Sequence, residues 1–214
     1  PSHTAMSSGV LVFVSDRSAP SASTVNVTLP VLLSTPLPGL FGSGVAEVMV
    51  AALVTSPLLF VPLAGKSLDM TWFASQGHGV LGVELSPLAV EQFFTEHGLV
   101  PEVFETRYGV HHRAGGIELI LGDAFGLDAE LLARCDAVYD RAALIALPPD
   151  LRARYVGELY PRLPAHCRGL LITLEYPQHE KAGPPFSVPE SEVRAGYGPH
   201  WHVDLLERRD ILAT

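Results

Sequence analysis

From residue 58 onward, short apolar runs alternate with segments of helical period. Leu58-Leu59-Phe60-Val61-Pro62-Leu63 is uncharged and closes on Ala64-Gly65, the pattern of a strand buried on both faces and followed by a tight turn. Ser67 then supplies an N-cap, Leu68, Met70, Trp72, Phe73 and Ala74 an apolar helix face, and Gly77 a stop. Residues 80–84 predict a second strand and residues 87–97 a second helix, with Pro87 in its first turn and Gly98 just past its end. Residues 117–121, 137–139 and 170–174 predict three more strands, separated by helical segments near 128–133 and 149–163. Strands alternating with helices predict an α/β fold: a doubly wound, mostly parallel sheet with helices on both faces. In such a sheet a ligand lies beyond the carboxyl ends of the strands, where strand order reverses.

Residues 1–58 read differently. They hold only Asp16, Arg17 and Glu47 of the chain's 14 basic and 23 acidic side chains, and no helical or strand period persists in them. Residues 1–57 are therefore set apart as an atypical low-charge segment without assignable function, and 58–214 as the domain. The uncharged stretch 48–65 has 18 residues, near the lower limit for a membrane span, but Pro57, Pro62 and Gly65 interrupt it. The apolar run 10–14 is short, and no Lys or Arg precedes it as a secretory signal would require. A cytoplasmic location is expected. The net charge of -9 disfavours nucleic acid or an anionic membrane as partner and favours a small-molecule substrate, handled by a monomer. Cys135 and Cys167 form no C-x-x-C pair, so neither a disulfide framework nor a zinc site is expected.

The chemistry gathers at the predicted strand ends. Gly65 lets the backbone turn sharply toward a ligand over the next helix's N-terminus, and Glu84 follows 19 residues later. A carboxylate at that place accepts hydrogen bonds from both ribose hydroxyls of an adenosine cofactor; the plainer reading is a turn glycine and an exposed glutamate. Gly65-Lys66-Ser67 suggests a phosphate loop, but position 60, where that motif needs glycine, is Phe60. No G-x-G-x-x-G is present, which favours an adenosyl cofactor without a pyrophosphate. Asp123, Ala124 and Phe125 fall where an adenine base would lie. Asp140 and Arg141 end the fourth strand; Arg141 is placed to pair with a cofactor carboxylate or orient an anionic acceptor, unless the two residues only organise the loop. His111-His112 and His200-x-His202 lack a ligand spacing and read as solvated loop histidines, so no metal is expected. Neither cysteine is expected to act as a nucleophile.

Four segments together resemble bacterial thiopurine S-methyltransferases: Val61-Pro62-Leu63-Ala64-Gly65-Lys66-Ser67-Leu68-Asp69-Met70, Gly82-Val83-Glu84-Leu85-Ser86, Tyr139-Asp140-Arg141-Ala142-Ala143-Leu144 and Gly183-Pro184-Pro185-Phe186-Ser187-Val188-Pro189. The resemblance runs in order from about residue 59 to about residue 212. It implies a Rossmann-like class I methyltransferase using S-adenosyl-L-methionine. Leu63, Glu84 and Arg141 match cofactor-contacting positions, and Ala124 and Phe125 lie near the adenine. Pro184, Pro185 and Phe186 belong to a segment beside the acceptor pocket. Acceptors in the family are thiols on aromatic heterocycles, and bacterial members are associated with selenium and tellurium oxyanions. Two departures accompany it. Family members begin with a Trp-containing segment that closes over the cofactor, whereas residues 1–58 contain no Trp. They also continue past residues 205–210 to a last antiparallel strand between the fifth and sixth, expected here to be missing or shortened. Without the lid, a protein that binds the cofactor without turnover is the alternative; a nicotinamide-dependent reductase is a more distant one.

Overall fold

In the computed structural model, which describes residues 9–16 and 58–210, one nine-stranded sheet runs through the protein. Its strands are β1 (Gly9–Asp16), β2 (Leu58–Val61), β3 (Gly79–Glu84), β4 (Glu102–Thr106), β5 (Gly109–Ala114), β6 (Ile117–Leu121), β7 (Ala137–Asp140), β8 (Arg168–Glu175) and β9 (His202–Asp210). They lie in the order β4-β5-β6-β3-β2-β7-β8-β1-β9. Strands β6, β3, β2, β7 and β8 pair parallel, and the hairpin β4–β5 and strand β1 pair antiparallel. Because β2 has β3 on one side and β7 on the other, the strand order reverses beside β2, and a ligand crevice is expected there.

Side-chain parity along the strands separates two cores. Leu59 and Val61 join one while Phe60 joins the other, and the same alternation divides Val80 from Leu81, Leu119 from Ile120, Ala137 from Val138 and Leu170 from Leu171. Helices α1 (Leu68–Ser75) and α2 (Pro87–Glu96) cover one face through Met70, Phe73, Val90 and Phe93. The short helices α3 (Ala129–Leu132), α4 (Ala143–Ala146) and α5 (Pro149–Arg154), with α6 (Glu190–Tyr197), cover the other. Each of these large apolar side chains contributes roughly 1.5–3 kcal/mol by leaving water. Ser67 Oγ accepts from the Asp69 amide, the cap the sequence predicts, and Pro87 stands at the first helical position of α2, where Ser86 Oγ also accepts from the Ala89 amide.

Three features depart from expectation. The helix predicted over 149–163 is broken into α5, a wide turn at Tyr155–Leu159 and a tight one at Tyr160–Arg162, which turns Tyr155 and Tyr160 toward the same buried carboxylate. His111 and His112 are not loop residues but lie on β5. His111 is 2% exposed, its Nε2 2.6 Å from Thr106 Oγ1 and its Nδ1 2.8 Å from Glu118 Oε1, whereas His200 and His202 are exposed. The place between β8 and β9, which the family resemblance gives to a strand beyond residue 210, is taken by β1. Residues 1–8, 17–57 and 211–214 lie outside the described residues, and with them most of the uncharged stretch 48–65, whose residues 58–61 form β2. Among the described residues no helix is long and apolar enough to cross a membrane.

Candidate active site

At the carboxyl end of β2 the chain makes a tight turn. Leu63 has φ 45°, in the left-handed region that non-glycine residues avoid, and Gly65 has φ 55°. Holding a leucine there costs on the order of 1–2 kcal/mol, strain of the kind that collects at ligand sites. No atom lies within 4 Å of where a Cβ on Gly65 would stand, so the backbone is open to a ligand on that side. Glu84, at the end of β3, fastens this loop: its Oε2 accepts from the Gly65 amide at 2.9 Å and its Oε1 from the Ser86 amide at 2.7 Å. The glutamate is therefore no idle surface charge. Each carboxylate oxygen keeps a second acceptor direction, which suits the two hydroxyls of a ribose. Lys66 turns away and pairs with Glu96 at the surface, 2.7 Å apart, as expected of a loop that is not a phosphate cradle.

The next strand end joins the same group, because the Gly122 amide donates to the Glu84 carbonyl at 3.0 Å. Asp123 is exposed and uses Oδ1 to accept from the Phe125 amide at 2.9 Å, Ala124 is buried, and Phe125 is half-buried. The Arg154 guanidinium stands over the Phe125 ring, 4.6 Å from its centroid, and Arg162 holds the Phe125 and Leu127 carbonyls. The segment predicted to flank an adenine is thus rigidly seated next to Glu84.

Beyond the strand reversal, parity decides the roles at the end of β7. Tyr139 faces α1 and Asp140 the opposite core. Asp140 is 1% exposed; its Oδ2 accepts from Tyr155 at 2.7 Å and Tyr160 at 3.1 Å, and its Oδ1 from the Leu144 amide at 3.2 Å. Burial is the main cause that raises its pKa above the ordinary carboxylate value. A group so enclosed does not reach a substrate, so the expectation that Asp140 takes part in chemistry is corrected to one of shaping the loop. Nor does Asp140 pair with Arg141. Arg141 Nη1 instead lies 2.7 Å from Asp69 Oδ2 on α1, with the Arg141 side chain 36% exposed.

These donors and acceptors suit an adenosyl cofactor with a carboxylate tail, and comparison with known proteins agrees. The family model for thiopurine S-methyltransferase matches residues 47–214. The chain belongs to the thiopurine S-methyltransferase family. It is 64% identical over 160 residues to thiopurine S-methyltransferase of Nitrosomonas eutropha, spanning 75% of this chain and 73% of that protein. It is 66% identical over 154 residues to thiopurine S-methyltransferase of Xanthomonas axonopodis pv. citri, spanning 72% and 71%. Among solved structures, Burkholderia thailandensis 1,6-didemethyltoxoflavin-N1-methyltransferase with S-adenosylhomocysteine bound overlaps 54% of this chain and 44% of its own at 21% identity, with a TM-score of 0.39, too partial a likeness to argue from. The protein is an S-adenosylmethionine-dependent methyltransferase of small molecules.

In this methyltransferase the segment 183–189 lies against the strand ends from the β8 side. The Phe186 amide donates to the Ile145 carbonyl at 2.6 Å and the Val188 amide to the Leu174 carbonyl at 2.7 Å. Gly183, at φ 79°, is required because a Cβ there would come within 2.5 Å of the Phe186 ring. Tyr176 donates to the Pro185 carbonyl at 2.5 Å, and Gln178 accepts from the Ser187 amide at 2.8 Å. Pro184, Pro185 and Phe186 are thereby fixed as a wall, with the buried Arg152 5.9 Å from the Phe186 ring centroid.

Asp69 and Tyr139 were not singled out by sequence reasoning, although both stand in the signature segments. Position in a helix's first turn explains Asp69 well enough in one dimension, and nothing in the sequence ties it to Arg141, 72 residues on. Cys135 and Cys167 are both fully buried thiols not joined in a disulfide, and burial pushes the Cys135 thiol up to about 12. The folded enzyme is expected to give no rapid reaction with a disulfide thiol reagent, and both thiols to appear only on denaturation. A thiol titrating in the native state would place one of them at a surface. Among the described residues no three His, Cys, Asp or Glu side chains gather as a metal site.

Proposed function

We propose that the enzyme, as a cytoplasmic monomer, methylates the sulfur of a small heteroaromatic thiol, a thiopurine-like acceptor, or a selenium or tellurium compound. The observation that carries the acceptor class is the 64% identity to a relative named for thiopurine S-methylation. A rigid wall of two prolines and a phenylalanine beside the strand ends supports it, since flat apolar rings pack well against such a surface.

When bound, the sulfonium cofactor supplies a methyl group already activated for displacement. The chain's own task is alignment. Glu84 accepts the ribose hydroxyls while holding Gly65 and Ser86 in place, and Leu63 and Gly65 present backbone to the ligand. Asp123, Ala124 and Phe125 flank the base. Arg141 offers the edge of its guanidinium that Asp69 does not use to the cofactor carboxylate or to an anionic acceptor. Pro184, Pro185 and Phe186 set the plane of the acceptor. Soft nucleophiles such as thiolates and reduced selenium need orientation more than a strong base.

Calorimetry with S-adenosylhomocysteine tests the pocket, with Glu84→Ala as control. Wild type is expected to bind in the micromolar range and the variant more weakly by about 1–3 kcal/mol, the scale of lost hydrogen bonds to a charged group. Product analysis with a thiopurine, a simple aromatic thiol and hydrogen selenide then tests the acceptor. Binding that Glu84→Ala leaves untouched would remove the ribose role, and binding without methylation of any of the three would overturn the acceptor class.

A further inference from the structure

Asp69 links the start of α1 to the end of β7 at the strand reversal. It sits in the first turn of α1, two residues after the Ser67 cap, and is 5% exposed. Its Oδ2 takes hydrogen bonds from three directions: Arg141 Nη1 at 2.7 Å, the Tyr139 hydroxyl at 2.9 Å and Ser67 Oγ at 3.3 Å. Ser67 and Asp69 open the helix that follows the glycine loop after β2, and Tyr139 and Arg141 stand at and just past the end of β7. The two halves of the site therefore meet at one oxygen.

A buried carboxylate is costly to desolvate and is retained only with partners or a purpose. As a staple between α1 and β7, the Tyr139 hydroxyl bonded to a neutral amide would suffice. What the charge adds is a hold on Arg141, a long side chain that would otherwise have to be ordered each time a ligand arrives. Asp69 takes a hydrogen bond from Nη1, which leaves the other donors of the fork for a ligand. Resting on the reading of Arg141 as the contact for an anionic group, we propose that Asp69 is the positioning residue of Arg141 and sets how firmly the site holds that anion. The anion is the carboxylate of the cofactor or the ionised acceptor, and the two sources are separable by experiment.

Asp69→Asn keeps the shape and an acceptor for Tyr139 but gives up the charged hold; Tyr139→Phe does the reverse. Positioning predicts that Asp69→Asn weakens ligand binding about tenfold, a usual size for coupled groups in contact, with the melting temperature nearly unchanged. Tyr139→Phe should lower the melting temperature and leave affinity near wild type. The affinity loss falls on S-adenosylhomocysteine by calorimetry if the cofactor carboxylate is the anion. It falls on the acceptor KM at saturating cofactor, with kcat changed less, if the acceptor is. Asp69→Glu, which keeps the charge, should lie between wild type and Asp69→Asn and serves if the amide variant folds poorly. In an Arg141→Met background, Asp69→Asn should cause no further loss. If Arg141→Met alone changes neither quantity, the reading of Arg141 fails and this proposal with it. If Arg141→Met weakens binding while Asp69→Asn does nothing, or the two losses add in full, the positioning role alone is overturned.

Discussion

Leu11→Pro is expected to lower the unfolding free energy by about 2–4 kcal/mol, a large part of what a domain of this size possesses. Leu11 lies within β1, opposite Thr173 of β8 and Arg208 of β9, in a strand that pairs along its whole length on both sides. Proline there removes a ladder hydrogen bond, leaves an acceptor buried without a donor, and puts a ring where an interior strand has no room. Were β1 to come away entirely, β8 and β9 would each present an unpaired edge, so association of the unfolding chain should accompany the loss. Urea denaturation followed by circular dichroism measures the effect. A variant whose midpoint matches wild type would show that β1 contributes nothing to the sheet in solution.

This strand also marks the limit of what the sequence disclosed. β2, β3, β6, β7 and β8 were legible because strands buried on both faces are continuous apolar runs, and Ser67 and Pro87 sign the helix starts between them. Gly9–Asp16 contains such a run too, but its neighbours are strands about 160 to 190 residues away, and no local pattern carries that information. The hairpin β4–β5 was missed for a different reason: Arg107-Tyr108 lacks the Asn-Gly or Asp-Gly signal of a two-residue turn, and β4 is mostly exposed. Pairing at the sheet edge then drew His111 and Glu118 together and made a core residue of a histidine that polarity alone assigned to a loop.

The site shows the same division. Glu84 was readable because a strand end and a fixed distance from Gly65 suffice to bring the two together, and the Gly65 amide is indeed bound to its carboxylate. Asp140 was misread although the clue was present. Neighbouring residues of a strand face opposite ways, so Asp140 and Arg141 could not both be assumed to serve one crevice. The wide and tight turns after α5 then supplied the buried hydroxyls that claim Asp140, and those turns have no signature of their own.

Asp140→Ala should accordingly behave as a core mutation, with a loss of about 3 kcal/mol or more. Tyr155, Tyr160 and the Leu144 amide all lose their acceptor at once. The pH dependence distinguishes this from a simple cavity. Burial raises the folded-state pKa of Asp140 against the hydrogen bonds from Tyr155, Tyr160 and the Leu144 and Ala143 amides that oppose the shift, so the folded protein holds this proton more tightly than the unfolded chain. The contribution is therefore complete below the ordinary aspartate pKa and declines as pH rises through the folded value. Wild type should exceed Asp140→Ala in stability by more at the acid end of that window than at neutral pH, and the isosteric Asp140→Asn should lack this slope as well. Urea midpoints across the range give the comparison. A difference that grew toward neutral pH would mean that the ionised carboxylate is better accommodated by its hydrogen bonds than burial allows. Activity should fall only in step with folding, because Asp140 supports the turn that presents Arg141 and does not itself reach the crevice.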